Sequence, residues 1–84
     1  MLSIAVCDDE LLECCRLAQM IKDILDAMGL PYLLHQFGSG KELLQAAGSF
    51  DILFLDILMA DLDGMETARR LREKSPGGIL IFLS

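Results

Sequence analysis

Residues 50–55 read Phe-Asp-Ile-Leu-Phe-Leu, a near-continuous apolar run that ends at Asp56. A run of this kind is typical of a short strand that is buried on both faces of a parallel sheet. The chain repeats the pattern in LSIAVC at residues 2–7 and in ILIFL at residues 79–83. Residues 32–37 (YLLHQF) are less apolar, and we interpret them as a further strand. The sequence therefore predicts four short strands.

A helical pattern follows the first of these predicted strands. Apolar side chains from Leu11 to Met28 recur at steps of three and four residues, which places them on one face of a helix over residues 10–28. Gly29 supplies a C-terminal stop, and Pro31 prevents the helix from continuing. This spacing predicts a long helix that packs one face on the sheet.

Two shorter helices are predicted farther along the chain. Ser39 and Glu42 have the spacing of a capping box for a helix that Gly48 closes. Asp63 is placed to cap a helix over residues 64–74, which carries acidic residues early and basic residues late, as the helix dipole prefers. Strands and helices thus alternate in the order β-α-β-α-β-α-β. Helical crossovers imply parallel strands, so we predict an open α/β sheet with helices on both faces.

Size and charge limit the functions that are open to the chain. Its 84 residues allow one domain, over residues 1–84, with one small core. It has 13 acidic and 7 basic side chains and a net charge of −6, which argues against direct contact with a nucleic-acid backbone. No apolar run is long enough to span a membrane. We expect no membrane partner.

The cysteines and the N-terminal residues predict a cytoplasmic location. Cys7, Cys14 and Cys15 have no metal-binding spacing, and an odd number of unpatterned thiols fits a reducing compartment. The first residues carry no basic segment of the kind that begins a secretory signal. We interpret all three cysteines as small buried apolar residues.

Acidic side chains follow two of the predicted strands. Asp8 and Asp9 come directly after the first strand, Asp56 ends the third, and Ser84 follows the fourth. Ligands of open parallel sheets bind beyond the carboxyl ends of the strands, where the strand order reverses. If the order is 2-1-3-4, the reversal lies between the first and third strands, and the three carboxylates converge in one pocket.

Three converging carboxylates predict a divalent cation. Their mutual repulsion is relieved by a hard cation, and ligands that are all oxygen suit Mg²⁺. A carboxylate beside Mg²⁺ can attack phosphorus, because the metal neutralises the phosphoryl oxygens. We therefore expect Asp56 to act as the nucleophile and Asp8 and Asp9 to hold the metal. We expect Ser84 to donate a hydrogen bond to the transferred phosphoryl group.

At these residues the chain resembles the receiver domain of response regulators, which has the CheY-like fold. The matching stretches are VCDDE at 6–10, FGSGKELL at 37–44, DILFLDI at 51–57, MADLDGME at 59–66 and IFLS at 81–84. The acidic pair, the strand-terminal aspartate and the downstream Asp-Gly together form a specific combination. FGSGKELL, FLDI and GMETA are most similar to receivers of the LytTR-type subfamily.

The resemblance implies a flavodoxin-like strand order 2-1-3-4 and a role in two-component signalling. It implies that Asp56 accepts a phosphoryl group from a histidine kinase and that Ser84 is the switch hydroxyl. It also implies that Asp8, Asp9, Asp56 and the backbone carbonyl of Leu58 surround Mg²⁺. The phosphorylated module would switch an output, which we expect to be transcription, and the chain would be an acceptor and not an enzyme.

The resemblance also implies an incomplete domain. Receivers continue through a fourth helix, a fifth strand that ends in lysine, and a fifth helix, none of which is present in these residues. We therefore expect a chain truncated after the fourth strand, which by itself is not competent for phosphotransfer and reaches an output domain or DNA only through a missing C-terminal region. The bare apolar edge of the fourth strand predicts self-association.

Two other functions stay open at this level. A phosphatase with an aspartyl nucleophile often needs a second acid two residues later, and that position is Leu58, which argues against this class. The alternative is a non-phosphorylated protein-interaction module with a vestigial acidic pocket. His35 and the basic cluster at residues 69–74 are interpreted as surface features.

Overall fold

Strands and helices alternate along the chain, as the sequence predicts. The computed structural model describes residues 1–46, 50–57, 64–74 and 77–83. The strands are β1 (Leu2–Cys7), β2 (Tyr32–Phe37), β3 (Ile52–Asp56) and β4 (Ile79–Leu83), and the helices are α1 (Leu11–Met28), α2 (Gly40–Gln45) and α3 (Gly64–Lys74). Six of these seven elements match the predicted ranges within about two residues at each end, which is the ordinary uncertainty of element boundaries.

The four strands form one parallel sheet in the order β2-β1-β3-β4. This order confirms the predicted flavodoxin-like topology. Ile4 of β1 is level with Ile52 of β3, and Cys7 is level with Leu55, so the two central strands end almost together. Because all four strands run the same way, their carboxyl ends lie along one edge of the sheet.

Helices cover both faces of the central strands. Ala5, Cys7, Leu53 and Leu55 pack in one buried cluster with Leu43 of α2 and Ala68 of α3. Since successive side chains of a strand point to opposite faces, Ile4 and Val6 face the other way, toward α1, and they are buried as well. Cys14 and Ala18 are the buried residues of α1. The core therefore has two layers, one on each face of β1.

Local signals at the helix ends work largely as predicted. The amide N–H of Glu42 donates to Ser39 Oγ over 3.1 Å, and the Glu42 carboxylate accepts from the amide of Gly38 over 3.0 Å. Gly29 adopts the left-handed conformation at φ 68° that ends α1. The predicted end of α2 at Gly48 is wrong, because the helix ends at Gln45 and Ala46 is its extended C-cap. Gly48 itself lies outside the described residues.

The predicted start of the third strand is also corrected. It was expected at Phe50, and β3 begins at Ile52. Asp51 precedes β3 and joins it to the starts of the neighbouring strands. Its amide donates to the Ser3 carbonyl, and its carbonyl accepts from the Ile79 amide, both over 2.8 Å. Its side chain in turn accepts from the Ser3 amide over 2.8 Å.

Burial differs from the sequence prediction at three residues of α1. Cys15 is exposed, whereas Cys7 and Cys14 are buried. Leu11 and Met28, at the two ends of the predicted apolar face, are also exposed. An 18-residue helix is about 27 Å long and a six-residue strand about 20 Å, so the ends of α1 extend beyond the strands that it covers.

Candidate functional site

The carboxyl edge of the central strands carries an acidic cluster. Asp8 and Asp9 follow β1, Asp56 ends β3, and each residue contributes a carboxylate oxygen that lies within 4.8 Å of the other two. Asp8 and Asp56 are half-buried, and Asp9 is exposed. The structure thus brings together the three aspartates that the sequence analysis selected.

Backbone contacts fix the positions of these aspartates. The amide of Asp8 donates to the Phe37 carbonyl over 3.1 Å, and Asp8 Oδ1 accepts from the amide of Glu10 over 2.9 Å, which shapes the turn from β1 into α1. After Asp56, the amide of Ile57 donates to the Leu83 carbonyl over 3.1 Å, so the ladder between β3 and β4 continues past the carboxylate. The cluster is therefore built on the ends of paired strands.

The donor set fits a hard divalent cation. All three side chains offer carboxylate oxygens, which Mg²⁺ and Ca²⁺ prefer over nitrogen or sulfur ligands. Oxygens on opposite sides of a Mg²⁺ ion are about 4.2 Å apart, and the three carboxylate oxygens lie within 4.8 Å of one another, so one ion can reach all of them. Without a cation, the three negative charges would repel one another at this distance. The geometry therefore suits Mg²⁺ with water completing its coordination.

A cleft of about 510 Å³ opens above the cluster, between α1 and the carboxyl ends of β3 and β4. Its lining residues are Asp8, Glu10, Glu13, Arg16, Leu17, Met20, Asp56 and Leu83. The α1 wall of this cleft was not predicted from the sequence. Its signal was present, since positions 13, 16, 17 and 20 have the spacing of one helical face beside the buried face.

Two of the predicted site residues lie outside the residues that the structure describes. These are Ser84, the predicted switch hydroxyl, and Leu58, whose backbone carbonyl is the predicted fourth metal ligand. The predicted helix cap at Asp63 lies outside them as well. The roles of these residues therefore stay predictions.

Residues that the sequence analysis assigned to the surface lie away from the cleft. His35 is exposed on the edge strand β2, where its ring lies 6.5 Å from that of Phe37 and 6.0 Å from that of Phe50. Its side chain is on the sheet face opposite α1, because it is two residues from Phe37, which packs against the α2 and α3 core. This position does not favour a role as a phosphodonor.

The basic cluster of α3 forms ion pairs on the same helix. Arg69 contacts Glu66 over 2.6 Å and Glu73 over 2.7 Å, and Arg70 contacts Glu66 over 3.1 Å. Hydrogen bonds from Arg69 and Arg70 lower the pKa of Glu66 to about 2. Arg72 donates to the Gly78 carbonyl over 3.2 Å. These side chains are exposed or half-buried, as expected of a solvated helix surface.

Within the residues that the structure describes, no helix is both long and apolar enough to cross a lipid bilayer.

A comparison with curated proteins gave no significant match. Solved structures, by contrast, include clear relatives of this fold.

The response regulator DrrB from Thermotoga maritima, an OmpR/PhoB homologue, is similar over 100% of this chain, with 25% identity and a TM-score of 0.81. TrrA from the same organism, solved with Mg²⁺ and BeF, is similar over 98% of this chain, with 30% identity and a TM-score of 0.74. TrrA in complex with the histidine kinase ThkA matches 100% of this chain, with 29% identity and a TM-score of 0.69. The chain spans 37% of DrrB and 68% to 69% of TrrA.

The family comparison agrees with this geometry. The model of the response regulator receiver domain matches residues 4–84, which is nearly the whole chain. The matched residues include the three aspartates of the acidic cluster and all or most of each of the four strands. The chain therefore belongs to the response regulator receiver domain family.

Proposed function

We propose that this chain is a phosphoacceptor module, in which Asp56 accepts a phosphoryl group from a histidine kinase in a Mg²⁺-dependent reaction. The observation that carries the proposal is the convergence of the Asp8, Asp9 and Asp56 carboxylates at the ends of neighbouring strands. The complex of TrrA with ThkA supports a kinase partner, and the complex of TrrA with Mg²⁺ and BeF supports the metal.

Each residue of the proposed site has a distinct task. Asp56 is the nucleophile, and its half-buried place at the end of β3 leaves one side open to the cleft. Asp8, Asp9, Asp56 and the backbone carbonyl of Leu58 would hold Mg²⁺. When bound, Mg²⁺ would neutralise charge on the phosphoryl oxygens. Ser84 would donate a hydrogen bond to the new phosphoryl group.

The transfer needs no redox partner, and the donor imidazole takes up one proton from water as it leaves. A carboxylate oxygen of Asp56 attacks phosphorus, the bond from phosphorus to the donor atom breaks, and the donor leaves with the electron pair. We infer that the chain is an acceptor and does not turn over a substrate as a phosphatase does. The residue two positions after Asp56 is Leu58, which cannot supply the second acid that such an enzyme uses.

The proposed output is transcription, through a region C-terminal to the receiver. Phosphorylation would draw Ser84 toward the site and change the surface that β4 and its neighbours present. FGSGKELL at 37–44 supports an output of the LytTR type, whereas DrrB is described as an OmpR/PhoB homologue. The sequence that follows residue 84 in the full-length protein tests this assignment.

The unpatterned cysteines support a cytoplasmic location.

We also propose that the chain self-associates through β4. Among the described strands, β4 is an edge strand, and its Ile79, Ile81 and Phe82 side chains are exposed. An apolar edge of this kind offers unpaired backbone groups to a second chain. Sedimentation over a range of concentrations should show a mass that rises with concentration, and replacement of Ile81 by lysine should reduce it. A constant monomer mass would refute self-association.

Labelling with a small phosphodonor tests the phosphoacceptor role. The full-length protein should take up label from acetyl phosphate in Mg²⁺ and lose that uptake in EDTA. The Asp56→Asn variant should take up none. Asp51→Asn is the matched control, because Asp51 precedes the same strand at its opposite end and hydrogen-bonds to Ser3.

The two contrary outcomes have different meanings. Label that persists in the Asp56→Asn variant would show that the acceptor is another residue. A wild-type protein that neither binds Mg²⁺ nor takes up label would favour the interaction module with a vestigial acidic pocket.

A further inference from the structure

The turn between β2 and α2 is bonded directly to the end of β1 that leads into the acidic cluster. The Phe37 carbonyl accepts from the Asp8 amide over 3.1 Å. The Ser39 carbonyl accepts from the thiol of Cys7, which is fully buried, over 3.4 Å. A thiol is a weak donor, so the backbone bond is the stronger of the two. Two contacts at adjacent residues of β1 therefore join this turn to the backbone that presents the Asp8 carboxylate.

The capping box of α2 holds the same turn from its other side. Ser39 Oγ accepts from the Glu42 amide over 3.1 Å, and Glu42 Oε2 accepts from the Gly38 amide over 3.0 Å. These two reciprocal bonds fix the turn against the first residues of the helix. The helix is itself anchored, because Leu43 is 1% exposed in the core cluster. The backbone of Asp8 is thus supported from the core through α2 and its capping box.

We propose that Ser39 and Glu42 are positioning residues of the metal site, because their capping box holds the turn that supports the Asp8 backbone. The inference rests on the proposed function, since it assigns further residues to the same Mg²⁺ site. Neither side chain belongs to the cluster of three aspartates, so both act through the backbone. A capping box that only stabilises α2 would affect the stability of the fold and leave the affinity for Mg²⁺ unchanged.

Repulsion within the acidic cluster makes such a support necessary. The three carboxylates lie within 4.8 Å of one another, so in the metal-free protein a mobile turn would let Asp8 move away from the other two. Mg²⁺ would then have to restore the arrangement as it binds, which takes up part of its binding free energy. A rigid turn avoids this loss.

Calorimetry of the full-length protein measures the affinity for Mg²⁺. Ser39→Ala removes the cap acceptor without a change in charge and should weaken Mg²⁺ binding about three- to tenfold. Ser39→Thr keeps the acceptor and should stay within about twofold of the wild type. Gly78→Ala is the matched control, since it strains the opposite edge of the sheet, where its Cβ would lie 2.5 Å from the Phe50 carbonyl oxygen. It should lower the midpoint of urea denaturation and leave Mg²⁺ affinity unchanged.

Variants of Glu42 separate positioning from charge. Glu42→Ala should weaken Mg²⁺ binding about as much as Ser39→Ala does, because it removes the partner of the Gly38 amide. Glu42→Gln loses the charge but keeps an acceptor for that amide, so it should bind Mg²⁺ nearly as tightly as the wild type. Equal weakening in the two Glu42 variants would mean that the carboxylate acts through its charge alone, and this would overturn the proposal.

Amide exchange followed by NMR in the metal-free protein tests the support itself. In Ser39→Ala the Asp8 amide should exchange about three- to tenfold faster relative to the Leu53 amide of β3, because its bond to Phe37 opens more often. Gly78→Ala should not raise this ratio, since its strain acts on the fold as a whole. An unchanged ratio in Ser39→Ala would show that the cap does not hold the turn.

Labelling by acetyl phosphate adds a kinetic distinction. Ser39→Ala should take up label more slowly than the wild type at limiting Mg²⁺ and at nearly the same rate at saturating Mg²⁺, because the change acts on metal affinity. A rate that stays low at saturating Mg²⁺ would contradict a role in positioning the metal ligand.

Failure of this inference can be distinguished from failure of the proposed function. A wild type that does not bind Mg²⁺ would overturn both. A wild type that binds Mg²⁺ would overturn this inference alone if Ser39→Ala bound it equally tightly, or if Gly78→Ala weakened it as much. If Ser39→Ala does not fold, the comparison of Glu42→Ala with Glu42→Gln decides the same question.

Discussion

The central strand β1 and the edge strand β4 are built from the same kind of residue, yet solvent reaches them very differently. The last four residues of β1 are at most 1% exposed, whereas Ile79 and Ile81 of β4 are 60% and 39% exposed. β1 lies between β2 and β3 with helices on both faces, and β4 pairs with β3 alone among the described strands. An apolar run therefore indicates a strand, while its burial depends on its place in the sheet.

The same comparison explains where the acidic cluster lies. Asp8 and Asp9 extend from β1, and Asp56 ends its central neighbour β3. Charged groups that must stay close together against their own repulsion need rigid supports, and well-packed central strands supply them. The edge strands β2 and β4 have half-buried or exposed residues throughout and offer no equivalent support.

The largest expected effect comes from core truncation in the centre. Leu55 is fully buried in β3, so Leu55→Ala should lower the free energy of unfolding by about 2–5 kcal/mol, because it removes buried surface and leaves a cavity. Ile81→Ala, in the partly exposed edge strand, should cost less than half as much. Urea denaturation followed by far-UV circular dichroism measures both. An equal loss of unfolding free energy in the two variants would show that the central strand and the edge strand contribute equally to stability.

A glycine at the start of β4 tests how tightly the edge strand joins the centre. Gly78 has φ +93°, and a Cβ there would lie 2.5 Å from the Phe50 carbonyl oxygen just before β3. Gly78→Ala should therefore lower the free energy of unfolding by about 2–3 kcal/mol.

Gly77→Ala is the matched control for this change. A Cβ at Gly77 meets nothing within 4 Å, so that variant should stay within about 0.5 kcal/mol of the wild type in urea denaturation. A Gly78 variant as stable as the Gly77 variant would mean that the entry to β4 can move away from Phe50.

Repulsion among the three aspartates of the acidic cluster should lower the free energy of unfolding when no metal is bound. Asp56→Asn removes one of three mutually repelling charges, so it should raise the free energy of unfolding by about 1 kcal/mol in EDTA. Mg²⁺ should then stabilise the wild type and not the variant, which thermal denaturation with and without the metal measures. An asparagine variant that is less stable than the wild type in EDTA would contradict the repulsion argument.

The sequence predicted the elements better than it predicted their surroundings. Apolar runs and the Ser39 cap are local signals, so β1, β2, β4 and α3 have the expected bounds. The three aspartates were predictable because strand ends meet at one edge once the strand order is known. Exposure of Cys15 and the α1 wall of the cleft depend on which neighbours pack beside a helix, and periodicity in one sequence does not report this.

The smallest expected effect lies on the outer surface of α3, which covers the central strands with Thr67 and Ala68 and faces solvent with its charged residues. The pKa of Glu66 is lowered to about 2, chiefly by the hydrogen bond from Arg69 and then by that from Arg70. A lowered pKa means that the ionised carboxylate stabilises the folded state. This contribution is complete above about pH 4.5 and is lost as the pH falls toward about 2.

The Glu66→Gln variant tests this sign directly. The wild type should be slightly more stable than the variant above about pH 5, and the difference should shrink as the pH falls toward about 2, where Glu66 becomes neutral. About 1 M salt at neutral pH should also reduce it, because the ion pairs are exposed. Thermal denaturation across this pH range measures the difference. If this stability difference does not change with pH, Glu66 acts through helix propensity or packing. The ion pairs on the surface of α3 would then add nothing to the stability that the buried centre provides.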